Sequence, residues 1–286
     1  MGILVAMHYP TVLFLKAADH TYVKCGSGGM AWGCWGGKTG GNPLRSGSGS
    51  TNQANAIAEP NERAGITCYL VNGVCHQAAN RILFPAGIFV TGARGYGVSE
   101  LIFGPYGRPR GPLGTCLAPF DQHQGVTGDL PQCLAASPEM IAAEAAPSPE
   151  SRRYFELVSA AYGDTMSITI ESGGRNDAGL VQFMARLFDY KIEHNLGRRP
   201  DGPRLGRLRD LRVSAEWSRI KLETGFSERQ MKASEFVAES DRQAISLQKD
   251  AADILQPSEY QALFDLKHGE FVALADPEIV ARAYPE

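Results

Sequence analysis

The stretch Ile66-Thr67-Cys68-Tyr69-Leu70-Val71-Asn72-Gly73-Val74-Cys75-His76-Gln77-Ala78-Ala79-Asn80-Arg81-Ile82-Leu83-Phe84 decides the reading of this chain. Its first six residues form a continuous apolar run rich in β-branched and aromatic side chains, which predicts a buried strand. Asn72-Gly73 predicts a turn. Residues 75–84 then read as a helix stopped by Pro85. Cys75 thereby stands at a helix N-terminus, where backbone N–H groups and the helix dipole favour a thiolate. The same N–H groups can hold an oxyanion during acyl transfer. Ala78 and Ala79, three and four residues on, share its face and leave room for a substrate to approach. His76 points about 100° away around the helix axis and lies over Asn80 instead. Cys75 is the candidate nucleophile; an ordinary buried cysteine is the competing reading.

Working outward, residues 3–7 and 11–16 read as β-rich runs around a proline turn, and His20-Thr21-Tyr22-Val23-Lys24-Cys25 as a third short strand. Glycine and serine dominate residues 26–50, which predicts a loop. Residues 52–58 suit a short helix, residues 88–91 and 98–103 further strands, and residues 105–150 a loop and bridge. Beyond that, helix signals are regular. Residues 150–161 are helical in pattern, and residues 166–171 alternate like a strand. Asn176 or Asp177 caps a helix with Leu180, Phe183, Met184, Leu187 and Phe188 on one face and Gly197 past its end. Residues 214–224 form another helix, ending at Gly225. Ser227-x-x-Gln230 predicts the start of a helix running to about Leu255, and Ser258-x-x-Gln261 the start of a further one. Asp276-Pro277 is an N-cap followed by a first-turn proline.

The 286 residues admit one large domain or two ordinary ones. Residues 1–150 hold 23 of the 32 glycines, all six cysteines and 18 charged residues, whereas residues 151–286 hold nine glycines and 41 charged residues. The expected architecture is therefore α+β: a glycine-rich catalytic body over residues 1–150, with an antiparallel sheet and a cysteine-bearing helix, then a mostly α-helical segment over residues 151–286.

A thiolate nucleophile needs a base, and six histidines are available. His8 lies in an apolar run and reads as structural; His194 and His268 sit near helix ends, where a cation complements the dipole. His20, on a strand and so held more rigidly than a loop residue, is the first choice. His123, in the polar loop Asp121-Gln122-His123-Gln124, is the reserve. The order of a strand opening on histidine (DHTYV) followed by an apolar run and a helix opening on cysteine (CYLVNGVCHQAANRIL) resembles the circularly permuted branch of the NlpC-type papain-like superfamily, which includes lecithin:retinol acyltransferase-like and YiiX-like proteins. The resemblance covers about residues 11–104. It implies a papain-like fold, Cys75 as nucleophile, His20 as general base, a third polar residue orienting the imidazole, and a thioester acyl-enzyme resolved by water, an amine or a hydroxyl. The function expected is a cysteine-dependent amide or ester hydrolase or acyltransferase, with a peptide, amide or acyl substrate and no cofactor. Two alternatives stay open: transglutaminase- or deamidase-like chemistry on glutamine side chains, and a non-enzymatic binding or scaffold protein. Gln77 and Asn80 are candidates for supporting the site or binding substrate. Trp32 and Trp35, with Met30, suggest a substrate-covering flap.

Other classes are set aside. The longest apolar stretch, residues 82–90, is broken by Pro85 and Gly87 and is too short to span a bilayer. The first 15 residues lack the marks of a signal peptide, so a cytoplasmic protein with reduced thiols is expected. Gly36-Gly37-Lys38-Thr39 ends like a phosphate-binding loop, but Trp32 occupies the first glycine position and no helix pattern follows. No paired short-range ligand spacing supports a metal at Cys25, Cys34, Cys68 and Cys75. The arginines at 198, 199, 204, 207, 209 and 212 read as a solvated linker with helix-flanking charge. No aromatic residue interleaves them and the net charge is −3, so nucleic acid is not an expected partner. The helical part offers a face for a protein partner.

Overall fold

The structure, a computed structural model, describes residues 2–11, 17–26, 30–35, 40–58, 63–66, 68–109, 148–171, 176–197 and 202–285. Four strands, β1 (Gly2–Pro10), β2 (Asp19–Cys25), β3 (Ala31–Gly33) and β4 (Asn42–Gly49), form an antiparallel sheet in the order β3-β2-β1-β4. The register sets Tyr9 opposite His20 on the central pair, β1 and β2. The helices are α1 (Thr51–Ala58), α2 (Cys75–Leu83), α3 (Tyr96–Phe103), α4 (Pro149–Glu171), α5 (Asp177–Leu196), α6 (Pro203–Ser227), α7 (Ala233–Ile254), α8 (Pro257–Phe264) and α9 (Pro277–Ala283). A 3₁₀ turn, Phe84–Ala86, ends α2 at the predicted proline.

The α+β class, the strand at His20 and the helix opening on Cys75 are as read from the sequence; several flanking elements are not. Ile66 and residues 68–74 are not a strand but a tight turn system, with Leu70 at φ 61° and an isolated bridge between Tyr69 and Gly73. Ile66, Tyr69 and Leu70 are buried all the same. Continuous apolarity reported burial, not extension. For the same reason the expected strand at 98–103 is α3, an eight-residue helix buried on every side and bounded by Gly95 and Gly104, both at positive φ. Residues 88–90 are irregular rather than a strand. The expected loop over 26–50 contains β3 and β4. Glycine in β4 serves contact: a Cβ on Gly47 would lie 3.2 Å from Ala86, and one on Gly49 would lie 3.0 Å from the Ala86 nitrogen.

In the second part, residues 166–171 finish α4 instead of forming a strand. Asn176 caps α5, accepting the Gly179 N–H at 2.8 Å, and Gly197 closes it at φ 64°. Ser227 ends α6 by donating back to the Thr224 carbonyl at 2.9 Å, so it does not open the next helix. That helix, α7, starts after Lys232, whose N–H is accepted by Glu235 at 2.9 Å. Likewise α8 begins at Pro257, with Glu259 accepting the Gln256 N–H. The arginine cluster is not a linker: Arg204, Arg207, Arg209 and Arg212 all lie on α6. Arg209 pairs with Asp189 at 3.0 Å, and Arg212 is buried against Glu216 at 2.8 Å. Arg198 and Arg199 lie outside the described residues.

One hydrophobic core runs from the sheet and α2 through α3 into α4–α8. Buried charges stitch the two parts together. Arg108, on the first part and fully buried, pairs with Glu216 and Glu223 of α6 and donates to the Val71 carbonyl at 2.8 Å. Lys191 of α5 pairs with Glu100 of α3. Such groups are tolerated in a core only when paired and hydrogen-bonded. Among the described residues no helix is long and apolar enough to cross a membrane.

Candidate functional site

Cys75 sits at the first position of α2, which is fixed from inside the protein. Gln77 reaches back so that its Oε1 accepts the Val74 N–H at 3.1 Å, while its Nε2 donates to the Gly104 carbonyl at 3.1 Å. Asn80 is anchored likewise: Oδ1 accepts the Val90 N–H at 2.8 Å, and Nδ2 donates to the Pro105 carbonyl at 2.9 Å and the Tyr96 hydroxyl at 3.2 Å. Both side chains are fully buried. Their hydrogen bonds go to the scaffold, and the structure gives them a role in holding α2 rather than in facing substrate. His76 does not bond Asn80; its Nδ1 meets the Ser99 hydroxyl at 2.7 Å, and burial lowers its pKa to about 4.

The Cys75 Sγ lies 3.6 Å from the Asp19 carbonyl oxygen, at the start of β2. The next residue on that strand is His20, which is 2% exposed. Its Nδ1 is 3.4 Å from Asp276 Oδ2, an ion pair rather than a well-aligned hydrogen bond. Burial by itself lowers the pKa of this imidazole. The Asp276 carboxylate and the Cys75 thiol, both adjacent, outweigh burial and raise it to about 10. The thiol, the imidazole and the carboxylate are thus neighbours, each less than a tenth exposed.

Asp276 was expected as a helix cap, and it is one: Oδ1 accepts the Glu278 N–H at 2.8 Å and the Ile279 N–H at 3.3 Å. The cap fixes one oxygen and leaves the other turned to His20. The segment carrying it is held on both sides. Ala273 bridges Ala17 and accepts the Ala18 N–H at 2.9 Å. On α7, Gln248 Oε1 accepts the Val272 N–H at 2.9 Å, and Asp241 Oδ1 accepts the Leu274 and Ala275 N–H groups at 2.8 and 3.0 Å. The Tyr69 hydroxyl accepts the Asp276 N–H at 3.0 Å, tying this segment to the turn that precedes Cys75. Sequence reasoning missed the site role of Asp276, whose visible signal was a cap and nothing more.

Two aromatic residues flank the group. Tyr9 stands across the strand pair from His20, with ring centroids 5.0 Å apart and planes tilted by 32°. Burial, then the nearby Asp276 and Cys75, raise its pKa to about 12. Trp35 is one ring further out, edge-on to Tyr69 at 5.8 Å with the Arg63 guanidinium 4.6 Å over its face. Trp32 is not in a flap: it is buried in β3 and donates to Asn55 at 3.0 Å. His123, Cys116, Cys133 and the 36–39 segment lie outside the described residues. His8 is held by Asp19 at 2.7 Å, and His194 stacks on Tyr154, so neither joins the thiol.

Cys34, Cys68 and Cys75 are free thiols, but Cys25 is disulfide-bonded, which corrects the expectation that all the thiols are reduced. Among the described residues no group of three His, Cys, Asp or Glu side chains is arranged to hold a metal. No protein-family model, curated protein or solved structure gives a significant match to the chain.

Proposed function

We propose that this protein is a cysteine-dependent acyl-transfer enzyme, an amide or ester hydrolase or acyltransferase with Cys75 as nucleophile, His20 as general base and acid, and Asp276 as the group that orients the imidazole. The observation that carries this reading is the buried His20 ring beside both the Asp276 carboxylate, with Nδ1 and Oδ2 3.4 Å apart, and the Cys75 thiol. Three chain-distant groups of these types, buried together, fit the logic of a nucleophile, a base and an orienting carboxylate. The papain-like resemblance supports the same assignment, and Asp276 supplies the third polar residue it requires.

In this mechanism the Cys75 thiol passes its proton to His20 Nε2, and sulfur attacks the substrate carbonyl. Backbone N–H groups in the first turn of α2 stabilise the resulting oxyanion. The imidazolium protonates the leaving amine or alcohol as the carbonyl re-forms, which leaves a thioester on Cys75. Water, an amine or a hydroxyl then attacks the thioester, gives its proton to His20, and releases the thiol. Asp276 fixes the proton on Nδ1, so that Nε2 faces the thiol in both half-reactions.

Alkylation by iodoacetamide across pH, with mapping of the modified cysteine, tests the assignment. Cys75 is expected to react below pH 7 faster than the other free thiols, and His20→Ala to remove that advantage. Protection of Cys75 until the protein is denatured would overturn the enzyme reading. Labelling by an electrophilic acyl probe extends the test, with modification expected at Cys75 in the native protein and none in Cys75→Ala.

A further inference from the structure

A cavity of about 270 Å³ shares no lining residue with the thiol site. It lies between residues 87–92, α3, and helices α4, α5 and α8, and opens to solvent past the exposed residues Thr91, Gly92, Gln261 and Asp265. Its inner wall is apolar at Ile88, Phe89 and Leu263, yet it also carries the buried Glu100–Lys191 pair.

The hydrogen-bond inventory of that wall is lopsided. Glu100 already accepts three hydrogen bonds: Oε1 accepts from the Tyr96 and Tyr154 hydroxyls at 3.0 and 2.9 Å, and Oε2 accepts from Lys191. An ammonium has three donors. Lys191 spends one on Glu100, and its other close neighbour is the Tyr96 ring, with the centroid 6.0 Å from Nζ. Two charged N–H groups of this buried side chain are left to the cavity. Arg45, a second cation on the wall, gives one Nη1 hydrogen to Thr91 at 2.5 Å. The other carboxylate lining the space, Asp265, sits at the exposed rim. His194 is turned against Tyr154, stacked at 4.6 Å, and burial lowers its pKa, so it adds no charge at neutral pH. Lys191 is thus a charged donor deep in the cavity, and Arg45 a second one toward its mouth, beside an apolar surface. A buried donor without an acceptor is costly, and an anionic acceptor relieves that cost most.

We infer that this cavity is a binding site for a small organic carboxylate, its oxygens on Lys191 and Arg45 and its apolar body against Ile88, Phe89 and Leu263. The site stands apart from the thiol chemistry, so it holds or fails whatever Cys75 does.

Calorimetric titration of the full chain with hexanoate, and with the uncharged hexanamide, tests it. Saturable hexanoate binding is expected, with hexanamide weaker by about tenfold or more, the difference a charge-assisted hydrogen bond makes. Arg45→Gln is expected to weaken hexanoate by about tenfold on the same grounds. Ala262→Trp, at the exposed mouth, is expected to abolish binding, and Cys75→Ala to leave it unchanged. Because Lys191→Met alone would strand the Glu100 charge, the deep cation is tested in Lys191→Met/Glu100→Gln, which is expected to lose hexanoate. Equal binding of hexanoate and hexanamide, undiminished binding by Ala262→Trp, or no saturable binding at millimolar concentrations in the unmodified protein would each overturn the proposal.

Discussion

Asp276→Asn isolates the charge at the proposed active site from the fold around it. Asn caps a helix as well as Asp does, and the amide oxygen can keep the N–H groups of Glu278 and Ile279 that Oδ1 now accepts at 2.8 and 3.3 Å. What is lost is the carboxylate oxygen 3.4 Å from His20 Nδ1. An opposite charge at that range is worth about 1–3 pKa units, so the imidazole falls from about 10 to about 7–9. The amide nitrogen also turns a donor toward Nδ1, which forces the ring proton onto Nε2, where it cannot receive the thiol proton. Loss of the correct tautomer in such triads costs about 10²–10⁴ in kcat/KM. Proton NMR of the His20 ring gives the pKa directly. With an acyl substrate in hand, the alkaline limb of kcat/KM gives it kinetically, because leaving-group protonation requires imidazolium. Thermal unfolding above pH 10, where the His20–Asp276 charge pair no longer contributes, within a degree or two of the unmodified protein confirms that the cap survived. A His20 midpoint unchanged in the variant, or kcat/KM within a few-fold of the original, would refute the reasoning.

The same pair has a thermodynamic signature, cleanest in a Cys75→Ala background where the thiol cannot exchange its proton with the ring. Asp276 raises the folded-state pKa of His20. Its stabilisation is therefore fully present below the unfolded value near 6.5 and is lost as pH rises through the folded value. Cys75→Ala is expected to exceed Cys75→Ala/Asp276→Asn by about 1–4 kcal/mol at pH 6, with the gap closing as pH rises through the folded His20 value, which loss of Cys75 brings below the original, as read by urea unfolding; a gap that widens with pH would reverse the sign. Arg108→Met leaves the buried carboxylates of Glu216 and Glu223 short of a partner and should cost about 3–5 kcal/mol in denaturant unfolding. A loss under about 1 kcal/mol would mean that Arg212 and Arg219 neutralise α6 by themselves. Gly97→Ala places a Cβ 2.7 Å from the Leu263 oxygen and Phe264 backbone, which cannot yield, and should cost about 1–3 kcal/mol. Gly206→Ala, on α6 with open space around it, should instead stabilise by up to about 1 kcal/mol, which makes it the matched control.

The local pieces of the site were legible and their assembly was not. A strand at His20 and a helix starting at Cys75 followed from alternation, a turn and a proline stop, all effects of a few neighbouring residues. The short apolar runs at 66–71 and 98–103 misled because burial makes a run apolar without giving it a period: all of 98–103 is buried, as are Ile66, Tyr69, Leu70 and Val71. β4 was hidden for the opposite reason: Gly47 and Gly49 look like loop residues in sequence, yet they are small because the 3₁₀ turn after α2 lies against them. Gln77 and Asn80 stood out as polar residues beside a reactive cysteine. Their partners, Gly104, Pro105 and Val90, belong to a connection that no local pattern could place.

Asp276 is the instructive case. Its cap was readable because a cap is a bond to residues two and three positions on. Its place beside His20 depends on chain 256 residues away, and that proximity is built by the helical part. α7 grips the backbone at Val272, Leu274 and Ala275 through Gln248 and Asp241, and the residues just before β2, Ala17 and Ala18, take up Ala273 from the other side. The carboxylate then has one oxygen committed to α9 and one direction left for the other. The charge-rich second part therefore does more than pack on the first. By holding three residues of irregular chain, it helps bring a carboxylate beside a histidine on the first part, and the composition boundary near residue 150 divides the sequence without dividing this cluster.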